Sequence, residues 1–186
     1  MHLRAIEMHP LEKFKFCPVC GSSNFEISTE KSKKCKSCGF EYFFNPSAAV
    51  VAFITNDKGE LLTETRKNEP AKGTLDLPGG FSDLYETVEE SVIREIKEET
   101  NLEVTELNYL FSLPNIYQYS GMNIHTLDSF FSCRVKDFSN IKAMDDASEC
   151  RWIAPEDIHI EDFGLKSIRE GLDKYMKLIS KGNTIK

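Results

Sequence analysis

The sequence predicts an α/β fold, a sandwich on a mixed sheet, with a small metal-stapled module ahead of it. Three observations carry this expectation. Strand-like and helix-like segments interleave without the regular alternation of a purely parallel sheet. Four cysteines form two Cys-x-x-Cys pairs near the N-terminus, and two segments show helical apolar spacing. A chain of 186 residues suffices for one ordinary core and a satellite module.

In the cysteine-rich segment, Cys17-Pro-Val-Cys20-Gly and Cys35-Lys-Ser-Cys38-Gly each read as a tight knuckle, with Gly21 and Gly39 easing the turns. Two knuckles brought together make a closed tetrahedral thiolate site, which suits structural Zn²⁺. A disulfide pair or four unrelated buried thiols fit less well with paired spacing, paired glycines and a reducing setting. The residues between the pairs suggest a short hairpin with Phe25 and Ile27 on one face. "KSKKCK" (31–36) reads as a solvated hairpin tip, or alternatively as an anion or RNA contact. So small a module depends on its metal for folding. The expected boundaries are 10–45 for the ribbon and 46–182 for the larger domain.

Past Asn45-Pro46-Ser47, "AAVVAFIT" (48–55) reads as a buried strand, "NDKG" as a hairpin turn and "ELLTETR" (60–66) as the returning strand. "LDLPGG" is a short extended piece ending at a glycine pair. Further strands are expected at 104–113, 125–135 and 149–153, the later ones placing Cys133 and Cys150 as core thiols. "LKSIREGLDKYMKLIS" (165–180) has the spacing of an amphipathic helix. His125 and His159 show no metal-ligand spacing, and neither a nucleophile elbow nor a P-loop motif is present, so covalent catalysis is not indicated.

The segment 86–102 raises the functional question. Thr87 and Glu90 fit a capping box, and Asn101 suits a left-handed C-cap, so a helix is expected over 88–100. On a helical wheel Val88, Val92, Ile93 and Ile96 form the apolar stripe. Glu95, Glu98 and Glu99 share an arc, Glu99 lands inside the stripe, and Arg94 and Lys97 point to the other side. Like charges three and four residues apart cost about 0.2–0.5 kcal/mol each when exposed, and more when buried. A solvated acidic face does not explain a carboxylate within the stripe. Divalent cations do, and three oxygen ligands beside open water positions suit Mg²⁺ or Mn²⁺ acting on phosphates.

The stretch Gly80-x5-Glu86-x7-Arg94-Glu95-Ile96-Lys97-Glu98-Glu99-Thr100-Asn101-Leu102 resembles the Nudix box, G-x5-E-x7-R-E-U-x-E-E-x-G-U with U apolar. The departure is Asn101 for the final Gly, and Asn substitutes well there because it tolerates the left-handed conformation. The resemblance implies an α/β/α sandwich that hydrolyses a nucleoside diphosphate linked to another group. It implies that Glu95, Glu98 and Glu99 are metal ligands, one of them able to act as base, that Gly80 offers a carbonyl to the metal, and that Glu86 and Arg94 brace the loop. Arg66 occupies a place where the family often puts a phosphate or base contact.

A zinc ribbon ahead of such a domain resembles the NADH pyrophosphatase branch, which carries S-Q-P-W-P-F-P-x-S after the box. Ser112-Leu113-Pro114-Asn115-Ile116-Tyr117-Gln118-Tyr119-Ser120 keeps both serines, the first proline and an aromatic at the Phe place. Ser112, Tyr117 and Tyr119 are the substrate-binding candidates there, the tyrosines as stacking faces and equally as packing residues. Glu149, with Trp152 in the same E-x-x-W spacing, resembles an additional metal ligand. The expected substrate is NADH, NAD or ADP-ribose, cleaved to AMP and a second monophosphate. Alternatives are a nucleoside triphosphate or nucleotide-sugar pyrophosphatase, and a non-catalytic regulator that senses nucleotides or binds nucleic acid. A net charge of −7 disfavours nucleic acid and anionic membranes as partners. No apolar run spans a bilayer and no leader pattern is visible, so a cytoplasmic location is expected. A homodimer is left open.

Overall fold

The computed structural model describes residues 9–144 and 147–180. Residues 1–8, part of the stretch read for a leader, and 181–182 of the expected larger domain lie outside them. The chain divides into two compact units, one of residues up to Pro46 with Gln118–Ile124, the other of Ser47–Tyr117 with the residues from His125 onward.

In the first unit, β1 (Phe25–Thr29), β2 (Ser32–Cys35) and β3 (Glu41–Phe43) form an antiparallel sheet. Phe25 pairs across from Cys35 and Ile27 from Lys33, so Phe25 and Ile27 do share a face. That face closes only at its knuckle end: Phe25 packs with Cys17 and Cys35, whereas Ile27 is exposed. Of the basic run only Lys31 lies in the turn between β1 and β2, because Ser32–Cys35 forms β2 itself. Lys33 turns inward, donating to the Phe14 carbonyl at 2.6 Å and lying 5.1 Å from the Phe25 ring centroid. Lys34 and Lys36 face Glu41 at 3.7 Å and Glu26 at 3.9 Å. Alternation along the strand thus disperses a cluster that looked contiguous in sequence. The residues Gln118–Ile124 join this unit, with Lys13 Nζ donating to the Gly121 carbonyl.

The second unit contains β4 (Ser47–Ile54), β5 (Leu61–Arg66), β6 (Leu75–Asp76), α1 (Val88–Thr100), β9 (Ala147–Ile153), α2 (Lys166–Ser180) and most of β7 (Val104–Tyr119) and β8 (Met122–Val135). One sheet runs β4-β8-β7 with β4 and β8 parallel, and another runs β6-β5-β9 with antiparallel pairs. The continuous apolar run of β4 follows from burial on both faces. Val51 and Phe53 join Leu61, Phe130 and the α2 residues Ile168, Leu172 and Tyr175 on one side. Val50, Ala52 and Ile54 join Leu62, Phe131, Cys133 and the α1 residues Val92 and Ile96 on the other. This is a mixed-sheet α/β/α sandwich. Phe53 stacks on Tyr175 at 4.0 Å between ring centroids, fixing α2 against its side.

Two expectations need correction. The strand expected to end at residue 113 continues to Tyr119, so "SLPNIYQY" is strand and not a connection. Ser120 (φ 51°) and Gly121 (φ 72°) supply the two left-handed positions of a two-residue hairpin turn, which returns the chain directly into β8. Ile93 is exposed, because the sheet covers only the Val88–Val92–Ile96 row of α1. Cys133 is buried as expected, and Cys150 is half-buried. Among the described residues no helix is long and apolar enough to cross a membrane.

Candidate active site

Local sequence sets the ends of α1. Thr87 Oγ1 accepts from the Glu90 N–H at 3.2 Å, and Glu90 Oε2 accepts from the Thr87 N–H at 2.9 Å, a reciprocal capping box. Asn101 caps the other end in the left-handed region at φ 59°, its N–H donating to Lys97 O at 3.0 Å. The helix thereby holds Glu95, Glu98 and Glu99 on the last two turns, next to the Gly79–Gly80 loop.

Glu99 is buried at 4% exposure, inside the apolar stripe as its wheel position predicts. The Gly79 N–H donates to its Oε2 at 2.8 Å. Burial pushes the Glu99 carboxyl well above the usual carboxylate range, and the negative charges of Glu64, Glu95 and Asp76 push it further. Gly79 has φ 151°, and a Cβ there would meet the Val50 carbonyl oxygen at 2.1 Å, so only glycine lets the loop pass this close to β4. A Cβ on Gly80 would fall 2.6 Å from the Glu95 carboxylate, so the second glycine leaves the cradle in which that carboxylate rests. The Gly80 carbonyl, expected to face metal, accepts from the Val50 N–H at 2.9 Å.

Arg94 does not point away from the trio. Its Nε and Nη2 take the two oxygens of Glu86 at 2.7 and 2.9 Å, while Nη1 reaches Glu95 at 2.9 Å and Glu98 at 3.0 Å. The wheel gives the direction of a Cβ, whereas a guanidinium on three methylenes reaches the next turn. Arg94 holds the Glu86 carboxyl down at about 2, helped by the Asp83 N–H. Lys97 does point away, donating to the Asn101 carbonyl.

Glu64 and Asp76, which no sequence motif singles out, are 4% and 5% exposed. The available signal was a carboxylate within an apolar strand run, "LLTE" and "LDL". Asp76 takes the Nη1 of Arg66, whose Nε donates to the Pro70 carbonyl at 2.8 Å. Burial, which would lower the Arg66 pKa, is outweighed by Asp76 and the Tyr117 side chain. Arg66 is therefore half-buried and held by Asp76 and the Pro70 carbonyl. Tyr117 is half-buried and edge-on to Phe81, 5.8 Å between centroids. Ser112 is half-buried in β7, and Tyr119 is exposed in the other unit. Glu149 is exposed opposite Thr65, and its neighbour Cys150 pairs across from Glu64.

A cation of the Mg²⁺ or Mn²⁺ kind fits this donor set: all ligands are oxygens, the glycine loop leaves Glu95 a cradle, and buried carboxylates crowd Glu99. Among the described residues the three glutamates do not converge as tightly as the cysteines, which are the one group whose ligand atoms all lie within 4.8 Å of one another. Cys17 and Cys38 Sγ are 3.7 Å apart, and Cys20 and Cys35 Sγ are 3.6 Å apart. A tetrahedron with Zn–S bonds of about 2.3 Å has S···S edges of about 3.8 Å, whereas a disulfide needs about 2.05 Å. The Cys38 N–H and then the Ser37 N–H lower the Cys35 thiol to about 6. At Cys20 the Ser22 N–H is outweighed by the neighbouring thiols of Cys38 and Cys35, which raise the thiol to about 12, so the cluster shares its charge unevenly.

Comparison with known proteins agrees with this architecture. The chain is 26% identical over 144 residues to the NAD-capped RNA hydrolase NudC of Vibrio atlanticus, a match covering 77% of this chain and 51% of that protein. It is 39% identical over 115 residues to the ADP-ribose pyrophosphatase of Methanocaldococcus jannaschii, covering 61% of this chain and 64% of that protein. The chain thus spans between half and two-thirds of the length of these relatives. A crystal structure of a NUDIX hydrolase from Nitrosomonas europaea shares the fold with a TM-score of 0.70 at 23% identity, over 90% of this chain and 93% of that one. The NUDIX domain family model matches residues 45–176, and the chain belongs to that family.

Proposed function

We propose that this chain is a divalent-cation-dependent pyrophosphohydrolase for a nucleoside diphosphate linked to a second group, with NADH, NAD or ADP-ribose as the substrate class and AMP as one product. The observation that carries this reading is Glu99, a buried carboxylate surrounded by other carboxylates and fixed by the Gly79 N–H. Such a group is costly as part of a fold alone and useful as part of a cation site. The similarity to an ADP-ribose pyrophosphatase and to a NAD-capped RNA hydrolase supports the choice of substrates in which a pyrophosphate joins two halves.

Glu95, Glu98 and Glu99 would hold Mg²⁺ or Mn²⁺, and Glu149, which alternation along β9 places on the sheet face opposite Cys150, is a secondary candidate. The cation would neutralise the pyrophosphate and lower the pKa of the attacking water. Glu98 is the most exposed of the three and serves as the candidate base, able to take the proton of that water. Arg94, anchored by Glu86, orients Glu95 and Glu98. Tyr117, placed by Phe81 and Arg66, offers a ring face to one end of the substrate, and Ser112 and Tyr119 are secondary candidates. The zinc ribbon, residues 10–45, would be structural, preceding a catalytic domain over 46–182 in a cytoplasmic enzyme.

A panel of nucleotides assayed with Mg²⁺ tests the reading. NADH should give AMP and reduced nicotinamide mononucleotide, with no inorganic phosphate released directly. Pyrophosphate release from nucleoside triphosphates, with NADH, NAD and ADP-ribose untouched, would overturn the substrate class.

A further inference from the structure

We propose that Glu64, on β5, is a further carboxylate ligand of the divalent-cation centre, so that the centre is held from the sheet as well as from α1. This inference rests on reading the α1 glutamates as a cation site. Glu64 pairs across from Asp76 on β6 and from Cys150 on β9, so these three side chains form one row on one face of the sheet. The Leu62–Trp152 pair lies two residues along on the same face and belongs to the core that α1 covers. The row therefore faces the helix that carries Glu99. Three residues beyond Asp76, the Gly79 N–H holds Glu99, which brings the helix carboxylate to the same end of the sheet.

Glutamate is a poor strand residue and a costly one to bury, and coordination of a metal offsets that cost. Glu64 and Glu99 are both buried at 4% exposure, one on the sheet face that α1 covers and the other on α1 itself. A cation between them turns mutual repulsion into attraction, and an all-oxygen shell drawn from helix and strand suits a hard ion.

The test is Mn²⁺ binding to the full-length protein, followed by calorimetry and by the electron paramagnetic resonance of the ion, without substrate. Glu64→Gln should weaken Mn²⁺ about tenfold or more, raise the melting temperature of the metal-free protein and shrink the gain in melting temperature on adding Mn²⁺. Glu64→Asp keeps the charge but withdraws it by one methylene. It should still fold and should also weaken Mn²⁺, which a purely structural acid would not do. Unchanged Mn²⁺ affinity in both variants, with affinity lost in Glu98→Gln, would remove Glu64 from the centre and leave the α1 site standing. Unchanged affinity in all three would overturn both.

Discussion

Arg94 grips Glu86 through two parallel bonds, Nε to Oε1 at 2.7 Å and Nη2 to Oε2 at 2.9 Å. The same guanidinium reaches Glu95 and Glu98, so one loop carboxylate decides where the cation that orders two helix carboxylates will sit. Because Arg94 holds the Glu86 pKa at about 2, below the ordinary glutamate value near 4.3, ionised Glu86 stabilises the fold above that ordinary value. The contribution is lost as pH falls through about 2. Glu86→Gln should therefore lower the urea midpoint at neutral pH, and the gap from wild type should close between roughly pH 4.5 and 2. A gap of constant size over that range would show that the carboxylate charge is not its source.

Glu99→Gln preserves shape and the Gly79 N–H bond while removing a buried charge. Turnover should fall by roughly 10²–10⁴-fold. The melting temperature of the metal-free protein should hold or rise, since relief of about 1 kcal/mol is worth roughly 2–4 °C in a domain of this size. A steep loss of stability with turnover retained would assign Glu99 to folding.

What was legible in the sequence was local. The capping box of Thr87 and Glu90, the Asn101 cap and the burial of Glu99 all follow from residues within a few positions of each other. Side-chain reach was not: wheel geometry placed Arg94 on the far side, and a flexible guanidinium crosses that distance. Pairings distant in sequence were least legible. Asp76 meets Glu64 and Arg66 only because β6 folds back on β5, and Lys33 is buried only because the segment carrying Phe14 lies over the sheet. The hairpin at Ser120–Gly121 had a readable signal, a Ser-Gly pair between β-forming stretches, which the apparent break at Pro114 obscured.

The cysteine geometry predicts about one tightly held zinc per chain. Removing it by chelation, or by Cys35→Ser, should expose the amides of the first unit to hydrogen exchange. Because Gln118–Ile124 belongs to that unit, its protection should fall together with that of the ribbon. The amides of β4 and α1 should keep theirs. Protection lost uniformly across the chain would show that the second unit cannot stand without the metal, and four titratable thiols with no zinc in native protein would remove the site altogether.

Tyr117 allows the sharpest test of substrate class. Its ring stands edge-on to Phe81 and its side chain engages Arg66, which Asp76 and the Pro70 carbonyl hold in place. A ring fixed on those sides is preorganised, so little entropy is lost when a base stacks on it, and such stacking is worth roughly 1–3 kcal/mol. Tyr117→Ala should raise KM for NADH or ADP-ribose by about 5- to 150-fold, the range that energy implies. A small pyrophosphate ester without a base should be cleaved nearly as before. Tyr117→Phe separates the ring from the hydroxyl: it should retain most of the dinucleotide affinity if stacking dominates, and behave like Tyr117→Ala if the contact with Arg66 is what matters. Equal losses for the dinucleotide and the small ester in Tyr117→Ala would mean that the ring packs the fold and does not meet the substrate.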